Sequence, residues 1–89
     1  MEVAVRLKVY AWQSFRAECP PAPNGNRQTR EIVATTSKAK AAARAQWGIT
    51  VRDVEETWNA AEIERATREP GRVFWCPIND SYSDRAVWR

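Results

Sequence analysis

The chain has 89 residues, 44% of them hydrophobic and 28% charged, with a formal net charge of +3. A chain of this length forms one domain that buries roughly 60–65% of the surface its unfolded form exposes, and its mixed composition argues against disorder. It contains no histidine, and its two cysteines, Cys19 and Cys76, follow no metal-ligand spacing, which removes most zinc sites, Ser-His and Cys-His nucleophile pairs, and histidine acid–base chemistry.

From the amino terminus, Val3, Val5, Leu7, Val9 and Ala11 fall on one side of a period-two pattern. Arg6, Lys8, Tyr10 and Trp12 fall on the other. This predicts a half-buried strand ending near Phe15. Cys19 to Asn26 (CPPAPNGN) is turn-rich, because proline lacks a ladder donor and Asn-Gly favours positive φ. Arg30–Thr35 is β-prone and is expected to return antiparallel to the first strand. Ser37 is a good N-cap for a helix over Lys38–Trp47, with Gly48 placed to end it. Along that helix Ala39, Ala42, Ala43 and Gln46 share one side, and Lys40 and Arg44 share another.

Residues 49–58 are ambiguous, reading as a short strand near Val51–Thr57 or as a helical turn. Asn59 to Glu62 is a capping-box variant that opens a helix over Ala60–Arg68, stopped by Pro70-Gly71. Its inward side is expected to hold Ala60 or Ala61, Ile63, and Ala66 or Thr67. Val73–Ile78 is apolar on both faces, as in a strand covered on both sides or an interior strand, and residues 79–89 form a polar tail of the single domain. The predicted order is β-β-α-β-α-β: an α+β fold, with both short helices packed on one face of a mostly antiparallel sheet.

Charge is unevenly spread. Residues 1–49 carry eight Lys/Arg against three acids, whereas residues 50–89 carry six against eight. Arginine outnumbers lysine by eleven to three, which suits bidentate binding of phosphate or carboxylate. Burial of a tryptophan removes about 150–250 Å² from water, so most of the five tryptophans are expected in the core.

Two groups of residues point to a binding surface. Arg6, Lys8, Tyr10 and Trp12 would form a stripe of cations followed by aromatics on the outward side of the first strand. Such a stripe suits stacked bases or an acidic protein surface. The alternative is that the tail, with Trp88, covers Tyr10 and Trp12. Around the following loop, Arg16, Arg27 and Arg30 would clamp anions, with Asn26 and Gln28 adding hydrogen bonds. Alternatively Arg16 pairs with Glu18 or Glu31 and the amides close the loop. The carboxylates Asp53, Glu55 and Glu56 and, further on, Glu62 and Glu64 read as a solvated acidic edge, because neighbouring Glu55 and Glu56 would face opposite sides of a strand. No catalytic constellation, cofactor site, export signal or membrane span is read in the sequence. The expectation is therefore a cytoplasmic binding protein that is not an enzyme.

Four segments, Trp12–Arg16 (WQSFR), Asn24–Ala34 (NGNRQTREIVA), Ser37–Ala39 (SKA) and Glu69–Trp75 (EPGRVFW), resemble small proteins of phages, prophages and related mobile elements. The resemblance spans most of the chain but brings no functional residue set with it. By analogy of size and genetic context, it implies a protein of anti-CRISPR type that blocks a host protein or nucleoprotein complex by occupying its surface. Direct binding of nucleic acid is the second expectation.

Overall fold

In the computed structural model, which describes residues 6–81 and 86–89, four strands and two α-helices alternate in the predicted order. Strands β1 (Lys8–Phe15) and β2 (Gln28–Thr35) form a long antiparallel hairpin at the centre of the sheet. Helix α1 (Lys38–Arg44) and a 3₁₀ turn (Val51–Asp53) lead to the two-residue strand β3 (Glu55–Glu56). Helix α2 (Ala60–Thr67) then leads to β4 (Phe74–Pro77). The sheet order is β3-β1-β2-β4, with every neighbouring pair antiparallel. The expected strand residues Val3–Val5 lie outside the described residues.

The predicted helix starts are met by their side chains. The Ser37 hydroxyl accepts the Lys40 N–H at 3.2 Å, and the Asn59 carbonyl oxygen accepts the Glu62 N–H at 3.0 Å. The capping box at α2 is only half formed, since the Glu62 carboxylate turns inward to Thr57 and Arg30 instead of back to Asn59. Helix α1 stops at Arg44, three residues short of Trp47. Ala45 is extended (φ −74°, ψ 165°), and the Ser14 hydroxyl donates to Gln46 Oε1 at 3.0 Å, holding that residue at the sheet. Gly48 follows at φ +96°, a conformation that favours glycine. The ambiguous segment takes both predicted forms in turn, a 3₁₀ turn and then a minimal strand. Asp53 folds back to accept the Thr50 N–H and hydroxyl, which shapes the turn.

The helices lie on opposite faces of the sheet, which corrects the expectation of one covered face. Adjacent residues of β1 point to opposite sides. Val9 and Ala11 pack with Ile32, Ala34, Phe74 and Ala66 of α2, with Ile63 and Trp88 alongside. Tyr10 and Trp12 pack instead with Val33, Val54 and Ala41 of α1. Both faces of the central hairpin carry large apolar residues, so one layer of helices could not have buried them. Helix α1 is inward at Ala41, Ala42 and Ala45, not at Ala39 and Ala43. Helix α2 is inward at Glu62 and Ala66, with Ile63 half-buried. Strand β4 is an edge strand: Phe74 and Cys76 face the core, the Trp75 ring lies under the Arg16 and Arg89 guanidinium groups, and the Trp75 backbone exchanges two hydrogen bonds with Arg89.

Two arginine–glutamate clamps pin the layers together. Neighbouring residues Arg30 and Glu31 of β2 point to opposite faces. Arg30 grips Glu62 of α2 with two hydrogen bonds of 2.5 and 2.9 Å, and Thr57 donates to the same carboxylate at 2.6 Å. On the other face Glu31 receives Arg16 at 2.6 and 3.0 Å and the Thr29 hydroxyl at 2.9 Å. The Arg16 guanidinium also lies 5.5 Å from the Trp75 ring centroid. Its bond to Glu31 raises the Arg16 pKa above the ordinary value, overcoming desolvation.

Cys19 and Cys76 are free, buried thiols. Desolvation, reinforced by Asp80, pushes Cys76 up to about 11, and desolvation raises Cys19 as well. The unfolded chain therefore loses the Cys76 proton first as the pH rises, near 9, and the folded protein binds more protons between about 9 and 11. The stabilisation is fully present below pH 9 and is lost towards pH 11, by at most about 3 kcal/mol at roughly 1.4 kcal/mol per unit. Urea midpoints measured across that range should fall more steeply for the wild type than for Cys76→Ala. Parallel curves would show that this thiol ionises no later in the folded state than in the unfolded one.

Candidate macromolecular interface

The stripe predicted on β1 does not reach the surface intact. Tyr10 is 5% exposed and Trp12 is 2% exposed, because α1 and Val54 cover that side of the sheet; Trp88 packs on the opposite face. Arg6 is exposed, and Lys8 pairs with Glu56 at 3.7 Å. The loop residues are also engaged within the chain. Arg16 and Arg30 form the two clamps. Arg27 donates to the Ala17 and Cys19 carbonyls at 3.1 and 2.7 Å and so closes the loop. The side chain of Asn26 accepts the Gln28 N–H at 2.9 Å, and Gln28 donates to the Gln13 side chain at 2.8 Å. Arg16, Arg27 and Arg30 therefore do not converge on a shared anion site. They carry the internal wiring of the hairpin end.

What the structure leaves open lies after α1. Trp47 is fully exposed, at 102% of its reference area, and Trp58 at 81%. The expectation that most tryptophans are core thus holds for Trp12 alone, with Trp75 and Trp88 half-buried. Residues 38–52 contain Lys38, Lys40, Arg44 and Arg52 and no acid. Lys38, Lys40 and Arg52 have no ion-pair partner among the described residues, and Arg44 donates to the Gly71 carbonyl at 2.9 Å. Helix α1 touches the 3₁₀ turn, so these cations, Trp47 and half-exposed Val51 share one continuous segment over the Tyr10–Trp12 face. The sequence held one clue to this surface. Trp47 directly precedes Gly48, beyond the last inward residue of the predicted helix.

A second feature is a polar cleft of about 320 Å³, lined by Ala11, Trp12, Gln13, Arg30, Asp53, Glu55 and Glu56. It opens where β3 ends beside β1. Trp12 Nε1 is buried and has no hydrogen-bond partner, the one such side-chain nitrogen or oxygen among the described residues. An orphaned buried donor of this kind costs about 1–3 kcal/mol.

The same geometry bears on catalysis. Buried Glu31 and Glu62 are each held by arginine and threonine, and both thiols are pushed towards the unreactive protonated form. No group of three or more His, Cys, Asp or Glu that could hold a metal ion occurs among the described residues. No described helix is long and apolar enough to cross a membrane. No protein-family model, curated protein or solved structure matches the chain.

Proposed function

We propose that this protein acts by binding rather than by catalysis, and that it docks on an anionic face of a host protein or nucleoprotein through the α1 segment and Trp47. The observation that carries this reading is Trp47 itself, wholly exposed in a run that holds four cations and no acid. Tryptophan and arginine are the residues most often found at the energetic centre of protein interfaces. The cations supply steering towards an acidic partner. The resemblance to mobile-element proteins supports a host complex as the class of partner, with inhibition of anti-CRISPR type as the consequence and the host cytoplasm as the place.

Direct nucleic-acid binding is the second reading, because an exposed indole beside cations is also a stacking platform for bases. Affinity capture of host complexes by the tagged protein, with and without nuclease, separates the two. Partners retained after nuclease treatment, and lost on Trp47→Ala or Lys40→Glu, are the expected result. Capture abolished by nuclease would favour the second reading. In that case four neutralised phosphates on duplex DNA give a slope of log K against log salt near −3.6. Capture unchanged by both variants would overturn the assignment of this face.

A further inference from the structure

The two edges of the sheet are treated differently. On the β4 side the chain closes its own edge, with Trp75 and Arg89 exchanging backbone hydrogen bonds of 3.2 and 2.9 Å. On the other side β3 pairs only with Tyr10 and Ala11, so among the described residues no strand lies beside Trp12–Phe15. The direction of the free backbone groups follows from two bonds. Thr57 N–H donates to the Val9 carbonyl at 2.9 Å, whereas Arg16 N–H donates to Arg27 across the hairpin. Odd-numbered residues of β1 therefore aim their backbone groups at the β3 side, and even-numbered ones aim theirs at β2. The N–H and C=O groups of Gln13 and Phe15 thus face the open edge. An edge of this kind is a template for another strand, and natural sheets generally shield it.

The cleft described above lies alongside this edge, and its lining constrains the occupant. Among the described residues Glu55 has no ion-pair partner, and Asp53 uses one carboxylate oxygen on Thr50. The Arg30 guanidinium, also in the lining, is already held by Glu62, and Glu56 faces Lys8. The free charge of the cleft is therefore negative. Trp12, nearly all buried, forms part of the wall. Beyond the cleft on the same strand, Phe15 is 66% exposed. The cleft thus offers carboxylates for a cation beside a free strand edge, with an exposed apolar side chain further along the strand.

We propose that the open edge of β1 accepts an extended peptide segment of a partner protein, bearing a lysine or arginine, as an added strand. The main chain of that segment pairs with Gln13 and Phe15. Its cationic side chain lies between Glu55 and Asp53. Main-chain pairing gives such complexes their affinity, and side-chain pockets give them selectivity. This surface is distinct from the α1 segment and stands whether or not that face binds an anionic partner.

The test uses the full chain and an acetylated, amidated heptapeptide of alternating threonine and valine with a central arginine. In ¹⁵N NMR titration the exchange of the Gln13 and Phe15 amides is expected to slow at least tenfold. Peptides N-methylated on alternate amides should lose this binding in one of the two alternations and retain it in the other. A central glutamate, or the Glu55→Lys variant of the protein, should weaken it at least fivefold. Glu55 is exposed and its side chain makes no hydrogen bond or ion pair among the described residues, so that variant is expected to keep the fold. No change at these two amides at millimolar peptide would overturn the proposal. So would equal tolerance of both N-methylation patterns, or binding indifferent to Glu55→Lys. Concentration-dependent protection of Gln13 and Phe15 without peptide would also overturn it, by showing that a second copy of this chain occupies the edge.

Discussion

Replacing Glu62 with alanine is expected to destabilise the protein by about 3–5 kcal/mol, the cost of removing one partner from a buried ion pair. The carboxylate is 4% exposed and gathers three donors: two guanidinium nitrogens of Arg30 and the Thr57 hydroxyl. Its removal leaves the Arg30 side chain, itself only 25% exposed, without its main counter-charge inside the α2 layer. A domain of this size has about 5–15 kcal/mol in total, so the loss should be plain in a urea or thermal melt. At roughly 4–8 °C per kcal/mol, the fall in Tm should exceed about 12 °C. The double variant Arg30→Met with Glu62→Leu removes both charges and should recover much of the loss, because apolar replacements of a buried pair are often neutral or stabilising. A single variant within 1 kcal/mol of wild type would show that the clamp contributes little to holding α2 on the sheet. Arg16 and Glu31 on the opposite face should behave alike on loss of Glu31, with the Trp75 contact softening the effect.

Two substitutions of the same residue type should have opposite outcomes. Trp12→Ala empties a site between α1, Val33 and Val54 and is expected to cost about 3–5 kcal/mol, as large-to-small core changes do. The orphaned indole N–H trims this cost, since the alanine variant no longer buries an unpaired donor. Trp47→Ala removes a side chain that packs on nothing and should change stability by no more than about 0.5 kcal/mol. Chemical denaturation of the two variants gives the comparison directly. Tryptophan emission should agree with it: Trp47→Ala removes a solvent-quenched, red-shifted component from the native spectrum, and Trp12→Ala removes a blue-shifted one. Similar losses from both variants would place Trp47 against the fold.

The local structure of this protein is written in its sequence because short-range chemistry decides it. Ser37 and Asn59 cap the helices they precede, the period-two pattern marks β1, and the antiparallel return to β2 follows from the loop between them. The order β-β-α-β-α-β is legible for the same reason. Which face each helix covers is not a local property. The β1 pattern carries Val9 and Ala11 on one side and Tyr10 and Trp12 on the other, and the sequence alone allows the aromatic side to be either wet or buried. The placement of α1 on that side resolves it, turning an apparent binding stripe into core. Likewise an arginine-rich hairpin end reads as an anion clamp until the distant partner Glu62, thirty-two residues from Arg30, is brought beside it. Charge and exposure of a side chain are set by what packs against it in three dimensions. The loop arginines therefore became internal struts, and the exposed basic and aromatic surface moved to Trp47 and the lysines of α1.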